Sequence, residues 1–155
     1  MISYIFFIIL LALAGFFAIK ISIADFRRRI IPDAYLFPLM LIGLTLISFY
    51  SFPVSIQAGT IGAIFGYFMS LGTGLMFEKF TKKTDNIQTP IGMGDIKLLG
   101  TGGLWLGTNG LAIALVFACI FGIIWAKKSH QKFIPFAPFF VAGGFLSFII
   151  NLFLI

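Results

Sequence analysis

The chain has 155 residues, of which 60% are hydrophobic and 10% charged, and its mean hydropathy is +1.09. A soluble domain is about half apolar and about a quarter charged, so we expect one membrane-embedded domain over residues 1–155. The net charge of +6 does not indicate nucleic-acid binding. The basic residues lie in short clusters between apolar runs, a pattern typical of topology signals and contacts with anionic lipid headgroups.

Six apolar runs follow one another and predict an all-α integral membrane protein, a bundle of six transmembrane helices. The first run precedes a basic cluster instead of following one, which favours a membrane helix over a signal peptide. The fourth run is short and opens at a glycine-rich motif, so we expect a short helix buried among its neighbours. The predicted spans are residues 2–24, 34–52, 54–77, 91–106, 111–126 and 134–155, with a turn at 108–110.

Lysine and arginine residues predict the orientation of these spans. With six spans, the basic segments around 20–33, 78–90 and 127–133 fall on one side of the membrane, and Lys97 lies near that side. The opposite turns and both termini carry no lysine or arginine. We therefore expect the basic segments to face the cytoplasm and both termini to face outward.

The third span carries small residues at intervals of four, namely Gly62, Gly66, Ser70 and Gly74. This spacing places them on one stripe of a helix. Because small side chains let membrane helices approach closely, the stripe predicts tight packing against a neighbouring helix.

Cysteine and histidine are too scarce for several kinds of site. The single cysteine, Cys119, lies in an apolar run and is expected to be a small buried residue. The single histidine, His130, lies in a lysine-flanked loop and is expected to be solvated. Zinc hydrolysis and Ser–His or Cys–His catalysis are therefore not predicted, and we expect no metal and no cofactor.

Three of the five acidic residues lie at the predicted cytoplasmic ends of apolar helices, where a carboxylate is costly unless it is paired or used. They are Asp25, Asp33 and Asp95, whereas Glu78 and Asp85 lie among lysines and are expected to be solvated. Two neighbouring carboxylates cannot both ionise easily, so one can keep a proton while the other acts as a base on water.

Asp95 has the most distinctive surroundings, Gly92-Met93-Gly94-Asp95-Ile96-Lys97. The two glycines would let backbone or substrate approach the carboxylate closely. A structural alternative is a turn in which Asp95 is the N-cap of the fourth helix. Both interpretations can hold together.

Three segments of the chain resemble the type IV prepilin peptidase family. Asp25–Asp33, D-F-R-R-R-I-I-P-D, resembles the D-x-R-x-x-x-I-P-[ND] segment that follows the family's first helix. Gly92–Leu98 resembles its G-x-G-D-[IV]-K signature. Ile134–Phe139, I-P-F-A-P-F, resembles the segment that opens its last helix, with Ala137 in place of the usual glycine. The three segments occur in the family's order and span most of the chain.

The resemblance implies a membrane aspartic endopeptidase with Asp25 and Asp95 as its catalytic pair. It implies prepilin or pseudopilin substrates, whose basic leader peptide is removed on the cytoplasmic side of a bacterial or archaeal cytoplasmic membrane. Long family members carry an N-terminal region with two Cys-x-x-Cys pairs that is associated with N-methylation. This chain has one cysteine, so we expect a short form with peptidase activity and no methyltransferase activity.

The role of Asp33 stays open between a helix cap after Pro32 and a second candidate partner for Asp95. The family pattern accepts asparagine at this position, which favours Asp25 as the partner. We also expect Gly92, Gly94, Lys97, Arg27 and Asp33 to shape the site or bind substrate. One hypothesis is that Lys97 or an arginine of the 27–29 cluster pairs with an acidic residue of the substrate; anionic lipid contact is the alternative.

The same carboxylates allow two other functions. A small transporter or channel could use them as a proton relay, although such residues are then expected near the centre of the bilayer. A membrane scaffold for pilus assembly would need neither aspartate for substrate processing. Finally, the peptidase hypothesis predicts that the first and fourth helices pack as neighbours, with both carboxyls facing one cavity.

Overall fold

The structure, a computed structural model, describes residues 2–81, 92–129 and 134–154. The described residues form five α-helices joined by short irregular segments. The helices are α1 (Ile2–Arg28), α2 (Asp33–Phe49), α3 (Ile56–Thr81), α4 (Met93–Ser129) and α5 (Phe136–Leu154).

The predicted all-helical fold is confirmed, and its apolar helices are compatible with a membrane protein. Helices α1, α3 and α4 are each long and apolar enough to cross a membrane, and α2 and α5 are shorter apolar helices. Five helices stand in place of six predicted spans, because the fourth and fifth spans are joined into α4.

Helix α4 is broken at Gly107, whose backbone has φ 66° and ψ −178°, a conformation essentially restricted to glycine. A straight helix of 37 residues would be about 55 Å long. Yet Asp95, near the start of α4, interacts electrostatically with Asp25, and the Trp125 ring, near its end, lies 5.4 Å from the Phe26 ring. Both ends of α4 therefore lie beside one end of α1, so α4 doubles back. The predicted turn at 108–110 was misplaced, because these residues are helical and the break is at Gly107.

Helix α3 packs against the first arm of α4 with backbone touching backbone. A Cβ added at Gly62 would meet the Gly103 carbonyl oxygen, and one added at Gly66 would lie 2.5 Å from the Leu99 oxygen. Ser70 is buried in the same stripe. The predicted tight packing is thus confirmed at these positions, whereas Gly74 has nothing within 4 Å of an added Cβ.

Helix α1 packs on α2 and α5, and its Cα atoms stay more than 8 Å from those of α4. The prediction that the first and fourth helices are direct neighbours was therefore wrong. The two helices face each other across an apolar groove of about 360 Å³. The groove is lined by Leu11, Ala14, Gly15, Ala18, Leu39, Phe52, Pro53, Leu98, Thr101, Gly102, Trp105, Leu106, Phe140, Val141, Gly144, Phe145 and Phe148.

Cys119 is exposed, so the prediction of a buried cysteine was wrong. It lies in the second arm of α4 between Val116 and Ile120, which are 59% and 45% exposed, because this side of the arm points away from the bundle. The predictions for His130, Asp85 and the Glu78 side chain lie outside the described part of the chain.

Candidate active site

Asp25 lies in the last turns of α1 and is only 6% exposed. Its Oδ2 accepts a hydrogen bond of 2.8 Å from the backbone N–H of Ala137, in the first turn of α5. The first N–H groups of a helix have no partner within the helix. The Asp25 carboxylate therefore caps α5 and is fixed in place by it.

This partner of Asp25 was missed by sequence reasoning, which matched the I-P-F-A-P-F segment to a family pattern but gave it no role. The segment contained a usable signal. Pro135 and Pro138 have no N–H to donate, which leaves Phe136 and Ala137 as donors at the start of α5. Ala137 is fully buried, so this position requires a small side chain.

Asp95 lies in the first turn of α4, three residues after Gly92. The N–H groups of Asp95 and Ile96 donate to the Gly92 carbonyl at 3.0 and 3.2 Å, and the Asp95 carboxyl folds back to the Gly92 backbone. Gly92 is thus the N-cap and Asp95 the third helical residue, as in a capping box. The alternative that Asp95 is itself the N-cap was wrong.

Both glycines of the motif make room for close contacts. A Cβ added at Gly92 would lie 3.3 Å from the Asp95 Oδ2 atom. A Cβ at Gly94 would lie 2.9 Å from that of Ile31, a buried residue of the connection between α1 and α2. Because that connection begins four residues after Asp25, the Gly94 contact brings the start of α4 to the end of α1.

The two aspartates lie at the same end of the bundle, but neither lines the apolar groove between α1 and α4. Their charges interact, although their Cα atoms are more than 8 Å apart. Asp25 is buried and bonded, whereas Asp95 is partly exposed.

Asp33 is paired with Lys97. The Lys97 Nζ atom donates to both carboxylate oxygens, at 2.9 and 2.8 Å. The predicted cap was wrong, because the N-cap of α2 is Pro32 and no side chain caps that helix. Lys97 is two residues from Asp95, and residues at that spacing point to different faces of a helix. The ion pair thus ties α2 to α4 beside the aspartates.

The arginine cluster divides into two parts. Arg27 and Arg28 are exposed in the last turn of α1, where positive charge is favourable at a helix C-terminus. Arg29 follows the helix with φ 57°. Its N–H donates to the Asp25 carbonyl at 2.9 Å, and its charge interacts with the Asp25 carboxylate.

Comparison with known proteins identifies one matching family and several relatives that share a name. Residues 5–127 match the type IV leader peptidase family. A prepilin leader peptidase/N-methyltransferase of Burkholderia pseudomallei (strain 1026b) is 33% identical over 133 residues, which are 81% of this chain and 41% of the relative. Proteins of the same name from Aeromonas hydrophila and Dichelobacter nodosus are 30% and 29% identical over 136 and 134 residues. Those matches cover 83% and 84% of this chain, and 45% of each relative.

The chain therefore spans less than half the length of these curated relatives. No solved structure shows significant similarity to it.

Proposed function

The chain belongs to the type IV leader peptidase family, and on that premise we propose that it is a membrane aspartic endopeptidase. Its substrates are type IV prepilins or pseudopilins, and it removes their basic leader peptide. The observation that carries this proposal is that Asp25 and Asp95 lie at the same end of the bundle, close enough for their charges to interact. They come from different helices and lie 70 positions apart in the sequence.

The proposed chemistry needs one ionised and one protonated carboxyl. The ionised carboxylate takes a proton from a water molecule while the oxygen of that water attacks the scissile carbonyl carbon. The protonated carboxyl supplies a proton to the departing peptide nitrogen. Hydrogen bonds of about 2.6–3.2 Å to the shared water are required in the reactive complex. The present separation of the helices is compatible with an unliganded site that tightens around substrate.

We propose six membrane crossings, with α4 supplying two of them. Helix α3 runs antiparallel to the first arm of α4, because Gly59 packs against Leu104 and Gly66 against Leu99. The C-terminal ends of α1, α3 and α4 thus gather at the end of the bundle that holds the aspartates. Each carries basic residues in its last turn. The positive-inside rule assigns this end to the cytoplasm.

Several finer assignments belong to the same proposal. Residues 1–155 act as one peptidase domain of a bacterial or archaeal cytoplasmic membrane, with both termini outside and the basic residues beside anionic lipid headgroups. Because Lys97 is paired with Asp33 and Arg29 interacts with Asp25, Arg27 and Arg28 are the better candidates for pairing with an acidic residue of the substrate. The N-methyltransferase named in the relatives is not proposed here, since the chain matches less than half of each.

Co-expression with a prepilin tests the function. Wild type should produce a cut at the cytoplasmic side, and Asp25→Asn and Asp95→Asn should each abolish it because either change removes an ionisable group. Asp33→Asn is the matched control and should still cleave. Unchanged processing by both Asp25→Asn and Asp95→Asn would favour the scaffold, whereas loss of cleavage in Asp33→Asn alone would reassign the pair.

A further inference from the structure

Arg29 occupies a backbone conformation that suits glycine better than arginine. Its φ of 57° is left-handed, and helices commonly end with glycine at this position. The hydrogen bond from its N–H to the Asp25 carbonyl, 2.9 Å long, is the one expected for a left-handed residue that terminates a helix. A glycine would make the same bond without steric conflict, so helix termination does not explain the arginine.

The position of Arg29 relative to Asp25 provides an explanation. Arg29 lies just past the last helical residue, and the bond from its N–H to the Asp25 carbonyl keeps its backbone one turn from Asp25, within reach of an arginine side chain. From there its guanidinium can reach the buried Asp25 carboxylate, one oxygen of which is held by the Ala137 N–H. Electrostatic interaction between Arg29 and Asp25 agrees with this placement.

Asp95 has no equivalent support among the described residues. Its carboxyl is bonded to the Gly92 backbone, and the nearest lysine in its own helix, Lys97, is engaged by Asp33. The charged group that faces Asp25 from α4 is Asp95 itself. The two carboxyls therefore differ in the charges and donors around them.

We propose that Arg29 is a positioning residue that holds Asp25 as an oriented carboxylate, so that Asp25 is the base and Asp95 the proton donor. The inference rests on the proposed peptidase function. Arg29 does not contact the scissile bond in this scheme. It acts through Asp25, by attraction between opposite charges in a setting that excludes much of the solvent.

Two variants separate the charge of Arg29 from its backbone role. Arg29→Gly keeps the left-handed conformation and the helix-terminating bond but removes the guanidinium, and Arg29→Asn is a second neutral residue that tolerates this conformation. Arg29→Lys keeps the charge. Lys128→Ala is the matched control, because it removes an equal charge from an exposed position in the last turn of α4, at the same end of the bundle. The measurements are kcat and KM for prepilin cleavage in detergent, with melting temperature as the check on folding.

We expect Arg29→Gly to melt no lower than wild type while kcat falls at least about tenfold, roughly the effect of losing 1.4 kcal/mol of transition-state stabilisation. Arg29→Asn should have the same effect as Arg29→Gly. Arg29→Lys should recover most of kcat, and Lys128→Ala should stay within about twofold of wild type. Wild-type kcat in Arg29→Gly would reduce Arg29 to a helix terminator and overturn the inference. A raised KM with unchanged kcat would also overturn it, in favour of a direct substrate contact. A wild-type protein that cleaves no prepilin would instead refute the proposed function.

Discussion

The two sides of the bundle pack in opposite ways. On one side, α3 lies against the first arm of α4 so closely that Gly62, Gly66 and Gly103 face backbone atoms of the neighbouring helix. On the other side, α1 and α4 leave a groove of about 360 Å³ between them. The same membrane protein thus combines an interface with no room for a methyl group and one with room for several large side chains.

The two aspartates therefore lie on parts of the bundle that pack differently. Asp95 stands on the arm of α4 that is locked to α3, whereas Asp25 stands on α1 and is tied to α5 by the Ala137 hydrogen bond. Because close-packed interfaces resist deformation, we expect any movement that closes the pair around substrate to occur on the α1 side. Asp95 then acts as the fixed member of the pair.

The largest effect is expected at the tight interface. In Gly62→Ala the new Cβ would meet the Gly103 carbonyl oxygen and lie 2.8 Å from the Gly107 Cα. Both are backbone atoms that cannot rotate away, so we expect the free energy of unfolding to fall by about 3 kcal/mol or more. The measurement is thermal unfolding in detergent. Gly72→Ala is the control in the same helix, since nothing lies within 4 Å of its added Cβ. Equal melting temperatures for the two variants would show that the interface is looser than described.

The second largest effect is expected at the hydrogen bond between Asp25 of α1 and the Ala137 N–H of α5. Asp25→Ala leaves the buried Ala137 N–H without an acceptor, whereas the amide oxygen of Asp25→Asn can still accept. An unsatisfied buried donor costs about 1–3 kcal/mol, so the alanine variant should be less stable than the asparagine variant by that amount. Both should be inactive. Thermal unfolding of the two proteins side by side checks this, and equal stabilities would mean that the bond does not fasten α1 to α5.

The sequence predicted the close α3–α4 interface, but it predicted only part of the arrangement of the candidate site. Small residues at intervals of four predicted the α3 interface because a helical period fixes which residues share a face. The motif glycines also indicated that Asp95 lies where a helix begins. By contrast, the Asp25–Ala137 and Asp33–Lys97 pairs join residues 112 and 64 positions apart. No local pattern encodes such pairs, because they depend on how whole helices are placed. The break at Gly107 was missed for a similar reason: several glycines nearby could have supplied it.

A smaller effect is expected at the ion pair between α2 and α4. Lys97 and Asp33 have side chains that are 37% and 48% exposed, and solvent-exposed pairs contribute about 0–1 kcal/mol. Asp33→Asn should therefore lower stability by no more than about 1 kcal/mol. The reversed pair, Asp33→Lys with Lys97→Asp, should regain part of that loss. Thermal unfolding at low and high salt checks the assignment, because an exposed ion pair weakens as salt is added. A salt-independent loss would contradict an electrostatic origin.

The smallest effect, and the only gain, is expected at Gly15 on the groove face of α1. An added Cβ there has nothing within 4 Å, and alanine favours a helix over glycine by up to about 1 kcal/mol. Gly15→Ala should therefore leave the melting temperature unchanged or raise it slightly.

Gly43→Ala, on the opposite side of Trp105, is the matched contrast. Its Cβ would lie 2.5 Å from the Trp105 Nε1 atom, which donates to the Leu39 carbonyl at 3.1 Å. The indole would have to move and weaken that bond, so Gly43→Ala should destabilise. If Gly15→Ala were as harmful as Gly43→Ala, then α1 would lie against α4 in the membrane. In that case the aspartates would already be closed on each other without substrate.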